Sequence, residues 1–220
     1  HCLDHKKQTP FERIAPGSRF DLADWAVSPV NRAWNTRLLP IVDWLLERVA
    51  DGVEIPRQLE LGLAEILVHR GESERARRFL QSRADGAASA LRACLLVQAC
   101  DWTGAQAAFE AALKQMQTEV KARRRLLPES VSWYYPIALL AQRTPQHLQT
   151  ALKFCLGEAG ERDPSPYAGW GMWVHALKVR LGDASLQREP FERFADHPGF
   201  AGWPGFWCLL LAAWLGPEAF

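Results

Sequence analysis

A run of basic side chains is the first feature of this sequence that could bind a ligand. Lys121, Arg123, Arg124 and Arg125 end a long helical pattern, and side chains of this kind contact the phosphates of nucleic acids. Cations at the carboxyl end of a helix are also favoured by the helix dipole, and the chain has a formal net charge of only +1. A solvated helix end is therefore the simpler interpretation, and nucleic-acid binding is the alternative.

Arginines also mark the outer face of a shorter helix, predicted from Glu72 to Ser82. Arg75 and Arg78 are three positions apart, so they lie on the same face of that helix. Because a guanidinium holds a carboxylate through paired hydrogen bonds, we expect both arginines to contact an acidic group of a partner protein or peptide.

Three successive aromatic residues, Trp133, Tyr134 and Tyr135, are candidates for binding a peptide. Consecutive helical residues point about 100° apart, so we expect at least one of the three to be exposed or to line a groove. Pro136 follows them and predicts a kink or a break in the helix. Aromatic anchors dominate many interfaces, so Trp133 and Tyr134 are predicted to anchor the partner.

A metal site is not predicted. His1, Cys2 and His5 could supply ligands, but a zinc site usually has four, and no C-x2-C pair accompanies them.

An enzyme is not predicted either. Glu158, Glu161 and Asp163 lie near Trp170, and paired carboxylates occur beside aromatic residues in glycosidases, but a polar loop explains them more simply. No nucleotide-binding glycine motif is present. We therefore expect no catalytic residues and no cofactor, and keep an α/α-toroid enzyme or sugar binder as an alternative.

The composition favours a cytoplasmic protein. Of 220 residues, 48% are hydrophobic, which is enough for a sizeable core, and no apolar run approaches the roughly 18–20 residues of a membrane helix. The five cysteines are odd in number and scattered. This pattern favours buried free thiols in a reducing compartment over a disulfide framework.

Helical patterns fill the chain from about residue 37 onward. Prolines stand at predicted helix starts and glycines at predicted ends, including Gly157 and Gly160 after a helix over 146–156. Residues 1–36 lack this periodicity and are predicted to form an irregular arm with one helical turn, whereas residues 37–220 form the helical domain. The chain begins without Met and stops after an apolar stretch, from which we expect it to be a piece of a longer protein.

One stretch resembles the tetratricopeptide-repeat family. Ala105, Phe109 and Ala112 have the spacing A-x3-F-x2-A of that family's second helix, and Ala93 stands where its first helix has a small residue. The resemblance covers residues 86–117. It implies an all-α, right-handed superhelix of antiparallel helix pairs whose concave groove binds a peptide or a neighbouring domain.

Elsewhere the repeat is degenerate. The segments around Ala76 and Ala151 repeat the turn but lack the aromatic residue, and their spacings depart from the family's period of about 34 residues.

A second resemblance concerns the whole chain. Its alanine-rich pairs and the Leu-Leu-Pro step at 126–128 are similar to helical accessory regions of large bacterial ATPases, of the Swi/Snf-type helicase-like and maltose-activator kinds. That resemblance implies an accessory segment that engages nucleic acid.

Overall fold

The structure is a computed structural model, and it describes residues 14–27, 39–120, 127–162 and 169–182. The regular secondary structure in these ranges consists of α-helices, without a β-strand. This confirms the all-α prediction. The ten helices of this part of the chain are α1 Pro16–Val27, α2 Leu39–Ala50, α3 Arg57–His69, α4 Ser73–Leu80, α5 Gly86–Gln98, α6 Trp102–Val120, α7 Glu129–Ser132, α8 Tyr134–Ala141, α9 Pro145–Arg162 and α10 Gly169–Arg180.

Prolines and glycines bound the early helices at the predicted places. Pro56 directly precedes α3, where its fixed φ suits a helix start and its missing N–H breaks no helical hydrogen bond. Gly52 and Gly71 follow α2 and α3 with φ of 82° and 73°, in the left-handed region where a side chain costs free energy. These two helices follow the predicted pattern of prolines at helix starts and glycines at helix ends.

A similar hairpin turn joins three successive helix pairs. A left-handed residue lies just after the first helix of each pair: Gly71 after α3, Cys100 after α5 and Arg143 after α8. The N–H of Gly71 donates to the carbonyl of Val68 at 3.0 Å, and that of Cys100 donates to the carbonyl of Val97 at 2.9 Å. These bonds are typical of helix ends that stop on a left-handed residue. Cys100 and Arg143 therefore adopt a backbone conformation that side chains disfavour.

Replacing Cys100 with glycine is expected to raise the free energy of unfolding by about 0.5–1 kcal/mol, because glycine relieves the left-handed backbone and the side chain that it removes is exposed. Gly71→Ala, at the same place in the preceding turn, is expected to lower the free energy of unfolding by about 1 kcal/mol, although a Cβ there meets open space. Urea unfolding followed by circular dichroism measures both. Shifts of the same sign would show that backbone strain at this position does not control stability.

Helices α5 and α6 make the most extensive contact of any two described helices. Ala93, Ala105 and Ala112 are fully buried, and small side chains allow two helix axes to approach closely. Phe109 is also fully buried, and its ring centroid lies 5.5 Å from that of Tyr135 on α8. The four residues that carry the resemblance therefore lie on the inward face of this pair.

Neighbouring pairs contact one another through corresponding helices. Helices α3, α5 and α8 touch in succession, α4 also contacts α5, and α6 also contacts α8. Helix α9 packs on α8 and α10, and α1 packs on α2 and α3. The apolar stripe of each pair is thus covered in part by the next pair, so that successive pairs share one core.

Helix α1 lies within residues 1–36, for which the sequence predicts an irregular arm with one helical turn near residues 22–26. Helix α1 has 12 residues, which is longer than the single turn expected near residues 22–26. It packs where Gly62 of α3 has no side chain: a Cβ added there would lie 2.9 Å from Cγ2 of Val27 and 3.1 Å from the carbonyl oxygen of the same residue. Tertiary contact stabilises α1 in place of a strong local periodicity.

Helix α9 continues through both glycines that were expected to end it. The sequence predicts an end after Leu156, but the helix runs on past Gly157 and Gly160 to Arg162. That predicted boundary is wrong. Each glycine costs a helix roughly 1 kcal/mol, and the packing of α9 on α8 and α10 offsets this cost.

The predicted break before Pro136 is confirmed. Helix α7 ends at Ser132 and α8 begins at Tyr134, with Trp133 between them. Proline has no N–H to donate to the carbonyl four residues earlier, which belongs to Ser132. The interruption therefore lies just ahead of the proline.

Candidate functional site

An open groove of about 490 Å³ lies between the end of α2, the loop that follows it and helix α4. Both arginines that the sequence singled out on α4, Arg75 and Arg78, line it. Its volume lies in the range of sites that enclose a small ligand or a few side chains.

Much of the groove wall is apolar. Phe79 and Ile55 are half-buried, and Val53 is 39% exposed, which is unusual for a large hydrophobic side chain among the residues that the structure describes. The apolar lining is completed by Leu46, Val49 and Ala50. Exposed apolar surface that is framed by polar residues is typical of contact sites.

The loop side of the groove is positioned by the turn after α2. Gly52 takes its left-handed φ there, and the N–H of Val53 donates to the carbonyl of Arg48 at 3.0 Å. This bond folds the chain back over the last turn of α2. Pro56 then starts α3, so the short segment that carries Val53, Glu54 and Ile55 is held at both ends.

The opposite side of the groove is formed by one face of α4, and the orientation of this helix about its own axis decides which residues that face carries. Ala76 and Leu80 are buried against the core, which fixes the direction that the rest of this eight-residue helix faces. Arg75, Arg78 and Phe79 stand at positions i, i+3 and i+4, so they share one face of the helix. That face borders the groove.

A chain of ion pairs holds Arg75. Nη1 of Arg70 lies 2.8 Å from the carboxylate of Asp43, and its Nε lies 2.8 Å from Glu72, whose second carboxylate oxygen lies 2.6 Å from Nη1 of Arg75. The hydrogen bond with Asp43 is the main reason why the pKa of Arg70 is raised. Exposed pairs contribute little to stability, but this chain restricts where the Arg75 guanidinium can lie.

Two other charged side chains of the groove have no partner among the described residues. Among the described residues, Arg78 and Glu54 have neither a hydrogen bond nor an ion pair. Glu60 differs, since its carboxylate lies 3.9 Å from Nη1 of Arg83. The groove therefore offers one uncompensated cation on α4 and one uncompensated anion on the loop.

Arg83 is held in place by further contacts. Its guanidinium therefore stays near Glu60 and offsets part of the negative charge of that carboxylate. It lies 2.8 Å from Asp85 and donates at 2.8 Å to the carbonyl of Arg57. Asp85 also caps α5 by accepting from the N–H of Ala88 at 3.0 Å. Burial alone would raise the pKa of Asp85, but the Ala88 N–H and the Arg83 guanidinium together bring it below its ordinary value.

The structure does not bring the predicted aromatic anchors to this groove. Trp133 is half-buried, and its ring stacks on that of Trp170 with centroids 3.8 Å apart and an interplanar angle of 4°. The ring of Trp173 completes the cluster at 5.9 Å from Trp133. Tyr134 and Tyr135 are both buried. Of the three aromatic residues, only Trp133 keeps partial exposure, and its ring packs on α10.

Tyr134 lies in a buried polar cluster between α3, α5 and α8. Its ring centroid is 6.1 Å from that of His69, whose Nε2 lies 4.0 Å from the carboxylate of Glu65. Burial, followed by the proximity of Cys94, raises the pKa of Tyr134, against the opposing effect of its hydrogen bond with Gln98. At neutral pH the phenol is therefore uncharged and serves an internal contact. To bind a partner it would first have to leave this cluster.

The cysteines described by the structure are free thiols. Cys94 and Cys155 are buried, and Cys100 is exposed. Burial raises the pKa of Cys94 and of Cys155, with smaller contributions from nearby carboxylates. Buried thiols with a raised pKa are poor nucleophiles at neutral pH. No group of three or more potential metal ligands occurs within residues 14–27, 39–120, 127–162 and 169–182.

Several predicted features lie outside the residues that the structure describes, so the nucleic-acid and metal hypotheses keep the status of predictions. They are Lys121, Arg123, Arg124, Arg125, His1, Cys2 and His5. Asp163 lies outside as well. Glu158, one of the carboxylates near Trp170 in the sequence, is buried on α9. The groove between α2 and α4 is a separate place, and its lining contains carboxylates but no tryptophan.

No described helix combines the length and the hydrophobicity needed to cross a lipid bilayer. Comparisons of the chain with protein-family models, with curated proteins and with solved structures found no match. Function must therefore be inferred from the groove and its surroundings.

Proposed function

We propose that this chain is a protein-interaction module that binds a peptide, or a segment of a neighbouring domain, in the groove between α2 and α4. In this proposal the helix pairs stack as a right-handed, tetratricopeptide-like superhelix. The recurring hairpin turns support that arrangement, as do the successive contacts of α3, α5 and α8. The buried free thiols Cys94 and Cys155 favour a reducing compartment such as the cytoplasm.

One observation carries the proposal: the groove joins exposed apolar surface to a cation without a partner in the described residues. Val53 and Phe79 supply the apolar contact, and Arg78 supplies the charge. Hydrophobic burial would contribute most of the affinity. The charge-assisted hydrogen bond would contribute specificity. In this arrangement Phe79 takes the role of aromatic anchor that the sequence suggested for Trp133 and Tyr134.

The test blocks the groove without touching its charges. Ala50 lines the groove and is exposed, so Ala50→Trp should fill it with an indole ring. Ala111 is exposed on α6 and is not part of the groove, so Ala111→Trp is the matched control. Random twelve-residue peptides displayed on phage are selected against the intact chain, and the enriched sequences are synthesised with a fluorescent label.

We expect selection to enrich a recurring motif that binds the unsubstituted chain and Ala111→Trp equally. Ala50→Trp should bind it at least about tenfold more weakly, a loss of roughly 1.4 kcal/mol that corresponds to about one displaced apolar side chain. Fluorescence anisotropy measures the affinities. The absence of any recurring motif would refute the proposed function. Equal affinity of the peptide for the unsubstituted chain, Ala111→Trp and Ala50→Trp would refute it as well.

A further inference from the structure

We infer that the segment bound in the groove places an apolar residue between an acidic residue, which contacts α4, and a basic residue, which contacts the loop after α2. The inference rests on the proposed function and makes it specific. It assigns the ligand class and its orientation from the two uncompensated charges on the groove.

The acidic end is assigned to α4. Arg78 has no partner among the described residues, and Arg75 stands one turn before it on the same face. Glu72 already occupies one side of the Arg75 guanidinium at 2.6 Å. Arg78 is therefore the primary contact for an incoming carboxylate, and Arg75 adds a favourable positive potential beside it.

The basic end is assigned to the loop. Glu54 is exposed and unpaired within the described part of the chain, and the segment that carries it is held between Gly52 and Pro56. The other carboxylate on the groove, Glu60, is compensated by Arg83 at 3.9 Å. An acidic residue of the ligand would be repelled at the loop, and a basic residue would be attracted there.

The two charges do not neutralise each other. Arg78 and Glu54 line the same groove, yet they form no ion pair. The apolar residues Val53 and Phe79 belong to the lining that they share. A ligand with the sequence order acidic, apolar, basic can therefore satisfy both ends at once in one orientation. The same segment turned end for end places its acidic residue at Glu54 and its basic residue at Arg78, and this orientation is disfavoured.

The test reverses charges on the groove and on the ligand. The probe is the labelled synthetic peptide obtained by selection against the intact chain. Arg78→Glu is compared with Arg77→Glu, which makes the same change of net charge one position away. Arg77 is paired with Glu74 and is not part of the groove lining. Each chain is titrated with the peptide and with a version in which its acidic residue is replaced by lysine.

We expect Arg78→Glu to weaken binding of the original peptide at least about tenfold and Arg77→Glu to weaken it less than about twofold. The lysine version should bind the unsubstituted chain weakly and should regain affinity on Arg78→Glu. Glu54→Lys should likewise weaken the original peptide. Equal effects of Arg78→Glu and Arg77→Glu, or no rescue by the lysine version, would overturn the inference.

The proposed function can survive that result. If Ala50→Trp still abolishes binding of the selected peptide while the charge reversals have no specific effect, the groove is the binding site and its ligand is recognised by apolar contacts alone. If Ala50→Trp also has no effect, the site itself is wrong.

Discussion

Phe109→Ala is expected to lower the free energy of unfolding by about 3–5 kcal/mol, which is a large part of the stability of a small domain. Phe109 is fully buried on α6, and its ring contacts that of Tyr135 on α8 at a centroid distance of 5.5 Å. The substitution removes apolar surface from the core and leaves a cavity at the junction of two helix pairs. Because the rigid helices around it relax only partly, both losses add.

Urea unfolding followed by circular dichroism measures this effect. Phe109→Leu keeps much of the volume and should cost about 1–1.5 kcal/mol. Leu156→Ala removes an apolar side chain that is 47% exposed on α9, and surface changes of this kind usually alter stability by less than about 0.5 kcal/mol. A loss below about 1 kcal/mol for Phe109→Ala, with an unchanged denaturant slope, would contradict the packing of α6 on α8.

Gly62→Ala is expected to destabilise the chain, although alanine is the better helix former. A Cβ at Gly62 would meet Cγ2, Cβ and the carbonyl oxygen of Val27 at 2.9, 3.0 and 3.1 Å. The added atom is attached to the helix backbone and one of its neighbours is backbone as well, so α1 must shift away from α3. Overpacking of this kind costs typically about 1–3 kcal/mol.

Gly160→Ala on α9 is the matched control. A Cβ at Gly160 meets nothing within 4 Å, so this change should raise the free energy of unfolding by up to about 1 kcal/mol through helix propensity alone. The propensity gain is common to both substitutions, and the difference between them isolates the close approach of α1 to α3. If both changes stabilise the chain equally, α1 does not pack on α3 as described.

The sequence was most informative where local pattern and packing agree. Ala105, Phe109 and Ala112 have a spacing that places all three on one face of a helix, and the structure buries all three. It was misleading where tertiary contact outweighs local preference. Gly157 and Gly160 lie inside α9 because that helix packs on α8 and α10, which no local signal reveals.

The groove could be predicted only in part. Arg75 and Arg78 were recognisable from their helical spacing, but their neighbours come from another helix and from a loop. The missed signal was Val53 and Ile55, two branched apolar residues in a short connection that would ordinarily be polar. Trp133 is half-buried because its ring stacks on that of Trp170 on α10, and no local signal in the sequence indicates this contact.

Hydrogen–deuterium exchange with and without the selected peptide tests most directly whether the groove is the binding site. We expect protection to be confined to the end of α2, the loop over 51–56 and helix α4, with no change in α9 and α10. Protection around Trp133 and α10 in place of α4 would contradict the proposal and would favour the aromatic cluster as the contact surface.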